Sequence, residues 1–135
     1  MHPDLFKHGR FSWTELMTTD VAAAQAFYGE LFGWTFKADP MPTGMTYHEI
    51  LAGGESVGGM MACDDATGPQ KPPPCWGTYV TVDDVDAVAA KVTELGGAVH
   101  IPPTDIPGTG RFTVIQDPQG AVIMAITYAF EEPQD

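Results

Sequence analysis

The sequence predicts an α+β fold built from two tandem βαβββ modules. The length of 135 residues and the hydrophobic fraction of 44% are typical of one globular domain, here residues 1–135. The chain also contains an internal repeat. Residues 13–36 align with residues 77–100 without a gap, and eight of the 24 aligned pairs are identical, where chance would give about one or two.

A strand, a capped helix and a glycine stop recur in both copies. The predicted strands 13–18 and 78–82 are followed by Asp20 and Asp84, whose carboxylates can accept hydrogen bonds from the first turn of a helix. Apolar residues then recur at helical spacing until glycine ends each helix. The positions expected to face the sheets are Val21, Ala24, Phe27, Tyr28 and Leu31 in the first copy and Val85, Val88, Val92 and Leu95 in the second.

Three more strands complete each copy, the last two being joined by a short turn. The predicted hairpins are 47–51 with 55–62, and 111–116 with 121–128. The offset of the repeat extends into these hairpins, where it aligns Met60 with Met124. Residues 1–10 are expected to be loosely held. The resulting boundaries are 11–62 for module one, 63–76 for a proline-rich linker and 77–128 for module two.

The charge balance narrows the classes of partner. Six basic residues against eighteen acidic ones give a formal net charge of -12. Such a surface repels phosphate backbones and anionic headgroups, so the sequence predicts neither a nucleic-acid partner nor a membrane partner. A cationic ligand is favoured, although solubility alone also accounts for an acidic surface.

The sequence favours a cytoplasmic protein. No apolar run approaches the roughly 20 residues of a membrane helix, and the first residues lack the pattern of a secretory signal. Cys63 and Cys75 flank the linker, where a disulfide is geometrically feasible. Two reduced thiols are the favoured interpretation for a cytoplasmic chain.

Three signatures in the two modules resemble a known family. They are residues 20–28 leading to 31–34, residues 82–85 leading to 95–97, and the turn 117–120 (DPQG) before the last strand. Together they are similar to the vicinal oxygen chelate superfamily, which includes glyoxalase I, extradiol dioxygenases, and fosfomycin and bleomycin resistance proteins. The resemblance implies curved mixed sheets around a cavity, with each module forming half of it. It also implies metal ligands, usually His or Glu, from the first and last strands of each module.

The positions that correspond to those ligands do not carry metal-binding side chains. Carried over from the resemblance, they are Trp13, Met60, Gly77 and Met124. An indole and a glycine offer no ligand, and thioethers suit soft metals rather than Zn²⁺, Mg²⁺ or Fe²⁺. The sequence therefore predicts neither a metal nor a cofactor.

Strand alternation predicts which side chains line the cavity. The expected ligand-binding residues are Trp13, Glu15, His48, Met60, Tyr79, Arg111 and Met124. An aromatic, methionine-rich lining suits a flat or apolar molecule, but the same side chains could instead fill the sheet as a packed core. His48 is expected beside Glu15. Arg111 either steers an anionic ligand group or pairs with a neighbouring acid.

Two functions follow from these expectations. The favoured one is a metal-independent protein that binds an aromatic or cationic small molecule, as the bleomycin resistance proteins do, and that forms a homodimer. The alternative is a glyoxalase- or dioxygenase-like enzyme with a noncanonical site at Glu15 and His48. In that case Glu15 is the candidate catalytic acid or base.

Overall fold

The computed structural model describes residues 3–41, 44–63 and 73–129. After a 3-10 helix at Pro3–Phe6, the order of elements is β1 (Phe11–Thr18), α1 (Val21–Phe32), β2 (Thr35–Pro40), β3 (Thr46–Ala52), β4 (Glu55–Ala62), β5 (Cys75–Thr81), α2 (Val85–Val92), β6 (Ala98–Ile106), β7 (Gly110–Gln116) and β8 (Val122–Tyr128). The order β-α-β-β-β therefore occurs twice, as predicted. Most of the predicted linker, residues 64–72, lies outside the described residues.

The chain divides into two units, and one of them contains residues 13–77. We call it the first unit. Its strands follow the order β2-β3-β4-β1, with the first two pairs antiparallel and β4–β1 parallel. The Asp20 carboxylate accepts a hydrogen bond from the backbone of Ala23 at 3.0 Å and caps α1. Gly33 ends the helix at a φ of 73°, in the left-handed region that glycine adopts without strain.

The described part of the second unit, residues 3–12 and 78–129, repeats this topology. Its strands follow the order β6-β7-β8-β5, with β5 and β8 parallel and the other pairs antiparallel. The Asp84 carboxylate caps α2 by accepting from the backbone of Asp86 and Ala87, at 3.0 and 3.2 Å. The repeated sequence pattern thus gives the same topology in each unit.

The N-terminal residues pack onto the second unit instead of being loosely held. The Gly9 amide donates to the Thr81 carbonyl at 2.7 Å, and the Thr81 amide donates to the Arg10 carbonyl at 2.8 Å. The ring of Phe6 meets that of Tyr128 edge-on at 5.1 Å. Two backbone hydrogen bonds at one residue extend the pairing of β5, which explains why the segment is ordered.

The core of the first unit lies between its sheet and α1. Leu16, Ile50 and Met60 are buried there. The residues packed against them are Val21, Ala24, Tyr28, Trp34 and Phe36. Val82, Val85 and Ala125 form the corresponding core beneath α2. Each sheet thus has a helix-covered face and a second face, which we call the far face because it points away from that unit's helix.

Helix α1 meets its sheet with fewer residues than the pattern predicted. Val21, Ala24 and Tyr28 contact the core, but Phe27 and Leu31 remain 61% and 58% exposed. The prediction that all five apolar positions face the sheet was wrong for these two residues.

Neither α1 nor α2, the α-helices of the described ranges, is long and apolar enough to cross a membrane.

The strand register corrects the predicted alignment of the two modules. Leu16 pairs with Met60, whereas Val80, which corresponds to Leu16 in the repeat, pairs with Ala125. The offset between the modules is therefore one position longer at the last strands than at the first strands, so Met60 corresponds to Ala125 and not to Met124. A shift of one position moves a strand side chain to the other face of the sheet. Met60 lies in the helix-covered core because it pairs with the core residue Leu16, whereas Met124 pairs with Tyr79 on the far face.

Candidate functional site

An aromatic pair lies on the far face of the first sheet. Strand alternation places Trp13 and Glu15 opposite the core residue Leu16, and β3 contributes Tyr47 on the same side. The Trp13 Nε1 donates a hydrogen bond to the Tyr47 hydroxyl at 2.7 Å. Each ring thereby restricts the orientation of the other, which leaves a preorganised aromatic surface.

Gly59 makes room for this pair. A Cβ at this position would overlap the hydroxyl end of Tyr47, so the phenol occupies the space that any side chain on residue 59 would need. Gly59 is also the register partner of Glu15 on one side and of Glu49 on the other. The Tyr47 phenol therefore lies over β4 at Gly59, and Glu15 and Glu49 lie on the two neighbouring strands beside it.

The two carboxylates differ in burial and in neighbours. Glu15 is only 7% exposed, which is unusual for a glutamate. Glu49 accepts a hydrogen bond from the Ser56 hydroxyl at 3.0 Å, and the Lys37 ammonium lies 3.9 Å from its other oxygen. This face thus combines two hydrogen-bonded aromatic groups with acidic oxygens, which suits a flat ligand that carries a positive charge.

The far face of the second sheet is also aromatic. Tyr79 and Met124 are register partners, and they are 7% and 9% exposed. The ring of Phe112 lies 6.5 Å from that of Tyr79. Tyr79 and Met124 therefore lie together on one face, and Phe112 extends the apolar surface beside them.

His48 does not lie beside Glu15. It is the register partner of Met60 and therefore lies on the helix-covered side, where its Nδ1 is 3.2 Å from the Gln25 amide nitrogen on α1. Met60 itself is fully buried in the core. The structure thus separates His48 and Met60 from the far face that holds Trp13 and Glu15, because residues of opposite parity in a strand point to opposite sides.

Arg111 pairs with acids of its own unit. Its guanidinium donates to both carboxylate oxygens of Asp86 at 3.0 Å and to Asp105 at 3.1 Å. These hydrogen bonds raise the pKa of Arg111 above its usual value, and the Arg111 hydrogen bonds lower the pKa of Asp86. Of the two expectations for Arg111, the structure shows the pairing with neighbouring acids. The guanidinium links α2 to β6 and β7.

The residues at the expected ligand positions do not fit a hard metal ion. Trp13 and Gly77 offer no ligand from the first strands. On the last strands the far faces carry Gly59, Met61 and Met124. The corrected register therefore replaces Met60 with Gly59 and Met61, and it places no imidazole or carboxylate at these positions of the last strands. Within residues 3–41, 44–63 and 73–129 there is no cluster of three or more His, Cys, Asp or Glu residues that could hold a metal. The side chains of these faces therefore suit an organic ligand better than a hard cation.

The ligand-binding residues expected from the sequence did not include Tyr47, Gly59 or Glu49. Tyr47 and Glu49 are two positions apart in a strand, so alternation alone places them on one face. Only the pairing of β3 with β4 and of β4 with β1 shows that this face is the one of Trp13 and Glu15.

Comparison with known proteins agrees with the fold. The family model described as the Glyoxalase/Bleomycin resistance protein/Dioxygenase superfamily matches residues 10–125. Among solved structures, methylmalonyl-CoA epimerase from Streptomyces coelicolor superposes with a TM-score of 0.61 at 17% identity, covering 95% of this chain and 100% of that one. At that identity the similarity supports the fold alone.

Curated relatives share more sequence but are longer. CFP32 of Mycobacterium tuberculosis, which bears the name of a glyoxylase, is 41% identical over 119 residues, or 87% of this chain and 45% of CFP32. The anthracycline biosynthesis protein DnrV of Streptomyces peucetius is 33% identical over 126 residues, or 86% of this chain and 46% of DnrV. The chain thus spans less than half the length of these relatives. With the family model matching most of its length, the chain belongs to the glyoxalase/bleomycin resistance protein/dioxygenase superfamily.

Proposed function

We propose that this chain binds a flat aromatic small molecule without a metal ion, on the far face that carries Trp13 and Tyr47. The observation that carries the proposal is the hydrogen-bonded pair of aromatic side chains above Gly59, next to the buried Glu15. Two rings whose orientations are already restricted lose little conformational entropy when a ligand stacks on them. We also propose that the protein is located in the cytoplasm.

The acidity of the site favours a ligand with a positive charge. Glu15 and Glu49 lie on either side of Gly59 on this face, with Glu49 already near the Lys37 ammonium, and the whole chain has a net charge of -12. A cation near these carboxylates and over an aromatic ring would gain electrostatic energy. The name of DnrV ties that relative to the biosynthesis of anthracyclines. Anthracyclines are flat polycyclic compounds, and many carry an amino sugar, so they are suitable probes.

The side chains at the expected ligand positions support the proposal that binding needs no metal. Indole, glycine and thioether groups stand where imidazole and carboxylate would be needed for a hard cation. The aromatic pair supplies an alternative means of recognition through stacking. A ligand held in this way would bind equally well after chelation of metal ions.

The experiment measures binding of an anthracycline and of the same compound without its amino sugar, by fluorescence titration with and without a chelator. We expect the charged compound to bind more tightly, with a Kd that the chelator does not change. Trp13→Ala should raise that Kd about 5- to 13-fold, because one stacking partner is worth roughly 1–1.5 kcal/mol. Trp76→Ala is the matched control, since this indole packs near α1 and not on the far face. No binding of either compound, or equal losses in both variants, would refute the proposal.

An enzyme is the second candidate, favoured by the burial of Glu15 and by the name of CFP32. A buried carboxylate beside a bound substrate can accept or donate a proton. Because His48 lies on the other side of the sheet, Glu15 would have to act without it. A glyoxalase assay separates the candidates. Turnover that requires a stoichiometric Zn, Ni or Fe ion, or that Glu15→Gln abolishes, would establish the enzyme instead of the metal-free binder.

A further inference from the structure

Helix α1 is unusual in its chemistry within an acidic chain. Charged residues make up 18% of the sequence, yet residues 21–36 contain a single charged residue, Glu30. Helix α2 occupies the corresponding place in the second unit and carries Asp86 and Lys91 on its exposed side. Lys91 corresponds to Phe27 in the repeat. The outer side of α1 is therefore apolar, although Lys91 at the corresponding position of α2 shows that the fold tolerates a charge there.

Exposed apolar side chains on α1, together with Trp76 on β5, form a largely aromatic surface. Phe27, Leu31 and Phe32 are 61%, 58% and 56% exposed, and Trp76 is 40% exposed. We call these four residues the aromatic ridge. The ridge is held together from beneath by Tyr28, which stacks on Phe32 at 6.0 Å and meets Trp76 edge-on at 5.4 Å. The Trp76 Nε1 also donates to the Tyr28 hydroxyl at 3.3 Å.

We propose that the aromatic ridge binds the same ridge on a second copy of this chain, forming a two-fold symmetric dimer through α1. In a two-fold interface one patch must complement itself. Phe27 and Leu31 lie one helical turn apart, so two antiparallel copies of α1 can interleave them as neighbouring ridges and grooves. A self-complementary row of this kind is what a homodimer requires.

The charge of the chain supports this occupant over others. Two copies with a net charge of -12 each repel one another, and this repulsion opposes contact least where acidic residues are sparse. The ridge meets that condition, since Glu30 is the one charged residue between positions 21 and 36. A membrane with anionic lipids would be repelled by the rest of the surface, and the ridge offers no basic residue to offset that repulsion.

The size of the ridge matches the apolar centre of a dimer interface. With side-chain areas of roughly 150–250 Å² each, the exposed parts of the four residues amount to roughly 400 Å². A standard interface takes about 800 Å² from each partner, with an apolar centre and a polar rim. The ridge would supply about half of that area, and the polar residues around α1 would supply the rim.

Sedimentation of the full chain across the micromolar concentration range tests the proposal. We expect a dimer for the natural sequence and a monomer for the double variant Phe27→Lys with Leu31→Lys, whose Kd should rise at least about 100-fold. The matched control is Leu95→Lys, because Leu95 corresponds to Leu31 in the repeat and is 70% exposed. A monomeric natural sequence at high micromolar concentration would overturn the proposal. So would a dimeric double variant, or a control that dissociates equally.

Crosslinking covers the case in which the double variant fails to fold, as circular dichroism would show. The variant Phe27→Cys with Leu31→Cys is made in a Cys75→Ser background, since Cys75 is an exposed thiol and Cys63 is buried. Oxidation should give disulfide-linked dimers, because antiparallel helices bring these positions of the two copies within reach. Leu95→Cys in the same background should stay largely monomeric. If the α1 variant crosslinks no better than this control, the ridge is not the interface.

Discussion

The Trp13 indole donates a hydrogen bond to the Tyr47 hydroxyl at 2.7 Å, and the two residues are 34 positions apart in the sequence. The bond joins β1 to β3 across the glycine-containing strand β4, which lies between them. A residue with any side chain at position 59 would push the phenol away. Gly59 therefore does more than tolerate the aromatic pair. Its missing side chain is the condition for the pair to form.

Replacing Gly59 by alanine should destabilise the protein and weaken ligand binding. The added methyl group must displace Tyr47 and break its hydrogen bond with Trp13, at a cost of about 1–3 kcal/mol. Urea unfolding measures the loss. In a Tyr47→Ala background the same substitution should cost much less, because the overlapping atoms are gone. Equal losses in both backgrounds would show that Tyr47 is not the obstacle.

Gly29→Ala is the control for this substitution. Gly29 lies inside α1, and a Cβ there would come no closer than 3.4 Å to the Trp34 carbonyl oxygen and 3.6 Å to the Phe36 ring. These are ordinary contacts, and alanine is the better helix former. We expect Gly29→Ala to raise the free energy of unfolding by about 0.5–1 kcal/mol.

The two helix caps should contribute similarly to stability. Asp20→Ala removes the acceptor for the Ala23 amide, and Asp84→Ala removes the acceptor for the amides of Asp86 and Ala87. Each substitution should lower the free energy of unfolding by about 1 kcal/mol in chemical denaturation. Asp83→Ala is a suitable control, because the Asp83 side chain is 86% exposed and its ion pair, with His8 at 3.7 Å, lies on the surface. A change within about 0.5 kcal/mol is expected there, and a control loss as large as the cap losses would contradict the capping explanation.

The Arg111 pairing should make stability depend on pH in the acid range. Its hydrogen bonds lower the pKa of Asp86 in the folded state. A carboxyl group with a lowered folded-state pKa stabilises the protein above its unfolded pKa of about 3.9, and this stabilisation is lost as the pH falls through the folded value. The melting temperature of Arg111→Gln should therefore lie below that of the natural sequence near neutral pH, and the gap should narrow toward about pH 3. Lys91→Gln is the control, because it also removes one positive charge, in this case from α2. A gap that stays constant with pH would count against this linkage.

Tyr128 should ionise later than an ordinary tyrosine. Burial raises the pKa of its hydroxyl, which also donates to the Ser12 hydroxyl at 3.0 Å. Because the folded-state pKa is raised, the associated stability is complete below the unfolded pKa and is lost as the pH rises through the folded value. Ultraviolet titration of the phenolate should show a late component that Tyr128→Phe removes. If that component persists in the variant, another tyrosine is responsible for it.

The sequence alone determined the elements, their order and the family. Turn and cap residues act within a few positions, so Asp20, Asp84 and Gly33 mark the helix ends without knowledge of the rest of the fold. The gapless repeat of residues 13–36 and 77–100 covers the first strand and helix of each module, where the structure has the same offset. For those segments the pattern was sufficient to predict the elements and their order, but not which helix residues are buried.

Only the tertiary structure decided which face each strand residue occupies and which helix residues stay exposed. The side chains of a strand alternate with a period of two, so the register of β1 with β4 places Met60 in the core beside Leu16 and Gly59 beside Glu15. His48 moved with Met60 to the helix-covered side. The exposure of Phe27 and Leu31 likewise depends on how α1 sits on its sheet, because an apolar periodicity does not say how wide a stripe the sheet can cover. Local chemistry fixes the elements, whereas register and packing fix the surfaces that they present.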